Sequence, residues 1–213
     1  MILKLESLPI GYPHRLKPTI SIPGPKPASV IIPLYKDTNG QDNVILTKRS
    51  ETLKNHPGQI SFPGGVCSND EELLETAERE WEEEVGEPRT TLDVIGSFGE
   101  FNTFTGYIIV PFIAFYSGKF IFNPNREEVD KMIFLNLEVF NTGAFFEMEN
   151  PRSPGKKVYY LELDGDLLWG ATAQILVSLL HEFGSFKRRG IRVLSNLDIP
   201  PFFNPNIEYK IQP

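Results

Sequence analysis

Cysteine is nearly missing from the chain: Cys67 stands alone among 213 residues. A single thiol excludes an intrachain disulfide and a thiolate-bound metal cluster. No histidine follows Cys67 at close range, so a thiol nucleophile would lack its base. Long apolar runs are missing too, since none approaches the roughly 18 residues that span a bilayer. Positive charge is in short supply: 21 Lys and Arg face 28 Asp and Glu, for a formal charge of −7. That balance argues against nucleic acid as a default partner. An acidic chain still accepts an anionic diphosphate where metal ions and a few local cations reverse the potential. The N-terminal stretch is interrupted by Glu6, Pro9 and Pro13 and does not read as a secretory signal. The final Ile211-Gln212-Pro213 is not a peroxisomal address, so cytoplasm is the expected compartment.

What remains is an ordinary globular composition, 40% hydrophobic and 23% charged, long enough for one well-buried core with an extension or at most two small domains. Residues 1–27 are rich in proline and read as an extended arm, which is long enough to reach a second copy, so a homodimer is compatible with the sequence. Residues 28–190 read as the domain and 191–213 as an irregular tail packed on it. Ser29–Tyr35 and Asn43–Lys48 read as strands paired across a turn holding Asp37, Asn39 and Gly40. Further strands are expected at 59–62, 92–101, 107–116, 131–135 and 158–163, with 102–106 as a link. Leu168 to Phe183 carries apolar residues at helical spacing, and Lys187-Arg188-Arg189 suits the negative end of that helix. Strands alternating with two principal helices imply an α/β domain with helices on both faces of a mixed β-sheet.

The densest information lies between Gly65 and Gly86, GVCSNDEELLETAEREWEEEVG. On a helix, Glu80, Glu83 and Glu84 fall at i, i+3 and i+4, so three carboxylates share one face. An acidic run on a helix is commonly a solvated face. Here, however, Gly65, Glu71, Arg79, Glu80, Glu83, Glu84 and Gly86 stand at set spacings. Such a coincidence arises on the order of once in 10⁵ to 10⁶ sequences of this composition. Crowded like charges call for a cation, and oxygen donors suit Mg²⁺ or Mn²⁺. Leu74, Ala77, Trp81 and Val85 form an apolar stripe that docks the helix on a sheet. Arg79 lies four residues before Glu83 and is placed to neutralise and orient it. Ser68, Asn69 and Asp70 offer N-caps, and Gly86 followed by Pro88 ends the helix.

The spacing Gly-x5-Glu-x7-Arg-Glu-x2-Glu-Glu-x-Gly resembles the box of the Nudix hydrolases, which cleave nucleoside diphosphates linked to another group. Trp81 and Glu87 depart from it, standing where that family usually has a smaller aliphatic residue. The resemblance implies an α/β/α sandwich and a metal held by Glu80, Glu83, Glu84 and the Gly65 carbonyl. It leaves the general base open among Glu83 and Glu84 in the box and Glu100, Glu127 and Glu128 beyond it. Glu71 is expected to cap and orient rather than to bind metal.

A second resemblance lies outside the box. Leu46-Thr47-Lys48-Arg49-Ser50, Leu53, His56 and Gly58 to Gly65 look like the extended motif of the coenzyme A pyrophosphatase branch. Thr105-Gly106-Tyr107, Val110-Pro111, Glu127-Glu128-Val129 and Trp169 to Ala173 follow in the order that branch shows. The implied substrate is coenzyme A, whose diphosphate and 3′-phosphate call for further cations. Arg49, Lys48, Lys54 and His56, with the Gly64 turn, are the candidates, and Phe62, Phe104 and Tyr107 could stack on adenine. Other readings stay open: another nucleoside-diphosphate-linked substrate (a dinucleotide, a nucleotide sugar, ADP-ribose or capped RNA), a non-catalytic binding module, or an acidic helix without a ligand.

Overall fold

The computed structural model describes Leu3 and residues 26–68, 70–103, 105–142, 145–149, 155 and 157–184. Asn69, Phe104, Lys187-Arg188-Arg189, the tail and all of residues 1–25 except Leu3 lie outside the described residues.

Strand β1 (Lys26–Lys36) is the centre of a mixed sheet. It runs parallel to β7 (Tyr107–Tyr116) and antiparallel to β2 (Asp42–Arg49). The β1–β2 turn is built as its residues dictate, with Asp37 Oδ1 accepting the Asn39 and Gln41 N–H groups at 2.8 and 2.9 Å. β1 shares one edge between two partners. Residues 28–30 pair with β4 (Gly64–Val66), and residues 34–36 pair with β2. In the gap between them the Ile31 N–H donates to the Pro63 carbonyl at 2.9 Å. β3 (Ile60–Ser61) and β8 (Val129–Asn136) pair with β2. β5 (Leu92–Ser97) and β6 (Phe101–Asn102) pair with β7. The segment 92–101 is thus two short strands rather than one, because β5 carries a bulge between Val94 and Gly96 and leaves the ladder at Ser97.

Period-two alternation sorts the core onto two faces. Ile31, Ile45, Val110, Phe112 and Ala114 pack against helix α1 (Leu73–Glu80) and its extension. Ile32, Leu34, Val44, Leu46 and Ile113 face the other way. That second face is covered by α3 (Gly170–Phe183), a short turn α2 (Val139–Thr142), and a three-stranded antiparallel sheet. The small sheet comprises β9 (Phe145–Glu149), β10 (Lys157–Leu163) and β11 (Asp166–Trp169). The architecture is an α/β/α sandwich around a mixed sheet. Leu168 and Trp169, expected as the first helical residues, belong instead to β11; helix and strand periodicity are ambiguous over so short an apolar run. Asp166 pins the small sheet across the large one, taking Lys48 Nζ at 2.9 Å and Lys131 Nζ at 2.6 Å. Leu3 is buried in the same layer, bridges to Gly184, and donates its N–H to Asp42 Oδ2 at 3.0 Å.

Among the described residues no helix is long and apolar enough to cross a membrane.

Candidate metal and diphosphate site

The box helix starts later than its N-cap residues suggested. Glu72 caps it, in a reciprocal capping box with Glu75, whose Oε2 accepts the Glu72 N–H at 3.1 Å. Ser68 instead offers its carbonyl to the Glu71 N–H at 3.2 Å. Leu73, Thr76, Ala77, Trp81 and Val85 are buried against the sheet, while Leu74 is only partly buried. Trp81 is fully buried, packed 5.7 Å from the Tyr116 ring, so the bulky box residue fills a layer of core. From Trp81 to Val85 the helix widens into a π turn, with i→i+5 spacing, before Gly86 closes it at φ 74°.

That widening changes how the three glutamates sit. Glu84 is 2% exposed, whereas the Glu83 side chain is 55% exposed and turned outward. Arg79 gathers the others. Its Nε bonds Glu71 Oε1 at 2.8 Å, and its Nη1 bonds Glu80 Oε1 at 2.8 Å and Glu83 Oε2 at 2.7 Å. Glu71 is further fixed by the Thr76 hydroxyl at 2.8 Å and holds Arg79, while the capping role expected of it falls to Glu72. The guanidinium hydrogen bond, against a smaller burial effect, holds the Glu71 carboxyl below the usual range. Burial raises Glu80, although Arg79 opposes the shift.

Glu84 has weaker compensation. Arg49 Nη1 lies 3.5 Å from its Oε1, and the Gly64 N–H donates to its Oε2 at 3.3 Å. Burial pushes this carboxyl up to about 8, with the Glu80 charge adding to the effect and Arg49 opposing it. A buried carboxylate so thinly offset is a place where a cation is favoured. Among the described residues, no three acidic, histidine or cysteine side chains already converge as a metal cage. One guanidinium holds Glu80 and Glu83, and Glu83 is exposed while Glu84 is buried. The donor chemistry, carboxylates beside a glycine main chain, nonetheless fits a hard divalent ion. Gly65 lies tight against Glu80, since a Cβ there would be 2.4 Å from Glu80 Oε1.

The other residues singled out from the sequence divide into two groups. Arg49 and Gly64 touch Glu84, and Glu128 is near enough for its charge to raise both Glu80 and Glu84. Glu100, Glu127, Lys54 and His56 are exposed, His56 with a left-handed backbone at φ 55°. Lys48 is committed to Asp166 on the opposite face of β2. Phe62 is 3% exposed and belongs to the core rather than to a stacking platform. Tyr107 is half-buried. Cys67 is buried and burial pushes its thiol up, which leaves it a poor nucleophile. Asn125 carries no sequence signal of its own, yet its N–H donates to the Glu84 carbonyl at 3.1 Å.

Comparison with known proteins identifies the family. Residues 25–153 match the family model of the NUDIX domain. A protein of Photorhabdus laumondii named as an uncharacterized Nudix hydrolase, NudL, is 31% identical over 158 residues, 73% of this chain and 83% of its own. Its namesake from Yersinia enterocolitica is 30% identical over 73% of this chain and 80% of its own. Among solved structures, a MutT/nudix family protein from Enterococcus faecalis superposes with a TM-score of 0.51, over 75% of this chain and 62% of its own at 15% identity. The box, the sandwich that carries it and the match across most of the domain have one reading: the chain belongs to the Nudix hydrolases, which act on pyrophosphate bonds and generally use divalent metal ions.

Proposed function

We propose that this chain hydrolyses the diphosphate bond of coenzyme A or its derivatives, giving 3′,5′-ADP and 4′-phosphopantetheine or its acyl form. The observation that carries the reading is the contact between Arg49 and Glu84. Arg49 belongs to the upstream motif that resembles the coenzyme A branch, so the motif lies on the carboxylate cluster rather than elsewhere on the surface. His56 of that motif and the neighbouring Lys54 are exposed on the loop after β2, within reach of an anion.

Glu80, Glu83, Glu84 and the Gly65 carbonyl would hold magnesium or manganese, which when bound supplies Lewis acidity and a more acidic water. Around it, Arg79 orients Glu80 and Glu83, and the Gly64 N–H and Arg49 fix Glu84. Water oxygen bonds to phosphorus as the bridging P–O bond breaks, and the water proton passes to a carboxylate of the cluster. Arg49 then offsets charge on the phosphate oxygens. Arg79→Ala is expected to lower kcat about ten- to a hundredfold, because outer partners of metal ligands have effects of that size. Wild-type turnover and Mn²⁺ affinity in that variant would reduce Arg79 to a structural role.

Substrate choice is tested by a panel of coenzyme A, NADH, ADP-ribose and diadenosine polyphosphates with Mn²⁺. The expected result is a kcat/KM for coenzyme A at least about tenfold above the rest. A higher value for another member would move the assignment to that substrate while keeping the chemistry. Absence of turnover with all four, together with Mn²⁺ binding, would favour a binding module.

A further inference from the structure

Between β7 and β8 the chain crosses the C-terminal end of the box helix. Contact there is tight: a Cβ on Gly86 would lie 2.1 Å from the Asn123 carbonyl oxygen. Two residues on, Asn125 uses nearly all of its hydrogen-bonding capacity. Its N–H donates to the Glu84 carbonyl at 3.1 Å, and its carbonyl accepts the Glu128 and Val129 N–H groups at 3.0 and 2.8 Å. Its side-chain Oδ1 accepts the Glu127 N–H at 3.1 Å, while its Nδ2 donates to Glu128 Oε1 at 3.2 Å. The Glu128 carbonyl in turn accepts the Ser50 N–H at 2.8 Å, next to Arg49, which reaches Glu84.

We infer that Asn125 is a positioning residue, which ties Glu128, already a candidate base, to the end of the box helix that carries Glu84. The inference rests on the metal-dependent hydrolase reading above and adds a residue to it. A loop carboxylate placed near two others is repelled toward water. The Asn125 amide opposes that repulsion with a directed hydrogen bond. Being neutral, it orients Glu128 without cancelling its charge, which stays available to a cation. This is the reverse of Arg79, whose charge neutralises what it holds. The main-chain bond to Glu84 makes the placement relative to the helix rather than to the loop alone.

The two halves of the Asn125 side chain separate in a test. Asn125→Ser keeps a short acceptor for the Glu127 N–H and loses the reach to Glu128. Mn²⁺ affinity, measured by calorimetry or electron paramagnetic resonance without substrate, should fall about tenfold. With the best diphosphate of the panel, kcat should fall similarly with KM nearly unchanged, and the unfolding temperature should stay at the wild-type value. Glu128→Gln should show the same Mn²⁺ loss, and the double variant should be no worse than Glu128→Gln, since one residue acts through the other. Wild-type Mn²⁺ affinity in Glu128→Gln would overturn the inference whether or not Asn125→Ser folds. Losses that multiply in full in the double variant would overturn it as well. Wild-type protein that binds Mn²⁺ and cleaves a diphosphate while both variants match it defeats this inference alone. Wild-type protein that does neither defeats the parent reading too.

Discussion

Glu84→Gln should cut turnover at least about a hundredfold and, in the same protein stripped of metal, raise stability at alkaline pH. Both effects come from one buried carboxyl. Glu84 sits at 2% exposure where burial, helped by the charge on Glu80, moves its proton affinity up to about 8. In the metal-free folded protein the proton is therefore held across a range where the unfolded chain has already released it. As pH climbs from the ordinary glutamate range toward about 8, the folded state binds more protons than the unfolded one, so stability falls. Above about 8 both states are ionised and the loss is complete. Glutamine has no proton to lose, keeps nearly the same volume, and still accepts the Gly64 N–H. Its unfolding temperature in EDTA should thus lack this downward slope and exceed that of the wild type at pH 9. A divalent ion reverses the ranking, because it favours the ionised glutamate that glutamine cannot supply. The checks are kcat with Mn²⁺ and thermal unfolding in EDTA at pH 5 and pH 9. Near-wild-type turnover would remove Glu84 from the chemistry. Parallel stability profiles would mean that the site hydrates or rearranges enough to spare the carboxylate.

Much of this was legible in the linear chain because it is local. Ser29–Tyr35 and Asn43–Lys48 read as strands paired across a short polar turn, and the structure pairs them as β1 and β2. The four-residue offset from Arg79 to Glu83 anticipates a contact found at 2.7 Å. Where helix periodicity was carried through the whole box, it placed Glu80, Glu83 and Glu84 together. The π turn at Trp81–Val85 breaks that regular spacing and sends Glu83 outward. Beyond it, the carbonyl of Glu84 is taken by Asn125, some forty residues later, a partner that no local periodicity anticipates. The same holds for Lys48. A lysine beside a motif arginine looks like a substrate contact, yet strand alternation turns it to the opposite face and Asp166 claims it. The N-cap is Glu72, bonded to Glu75, rather than any of the candidates Ser68, Asn69 and Asp70, a choice between neighbouring polar residues that the sequence alone does not make.

The adjacent glycines Gly64 and Gly65 should fail in opposite ways when each is changed to alanine. Gly64 has φ 154°, and a Cβ there would lie 2.3 Å from the Ser29 carbonyl oxygen and 2.6 Å from the Val30 Cα. Those are main-chain atoms of the β1–β4 ladder, so relief requires parting the strands. Gly64→Ala should therefore cost about 2 kcal/mol or more in unfolding free energy. Its activity should fall with the fold, since the Gly64 N–H also steadies Glu84. Gly65 has an ordinary backbone, and the atoms nearest its added Cβ would be the far end of the Glu80 side chain, 2.4 Å away at Oε1. A flexible side chain can swing aside at little cost to the fold, but the carboxylate then leaves its place beside Arg79. Gly65→Ala should unfold close to the wild-type midpoint in urea while losing about ten- to a hundredfold in kcat and in Mn²⁺ affinity. Equal destabilisation in both variants would mean that β4 tolerates no side chain at either position, leaving the Gly65–Glu80 contact without a separate role. Full activity in Gly65→Ala would show that Glu80 serves the site from more than one position, and the metal would then depend chiefly on Glu84.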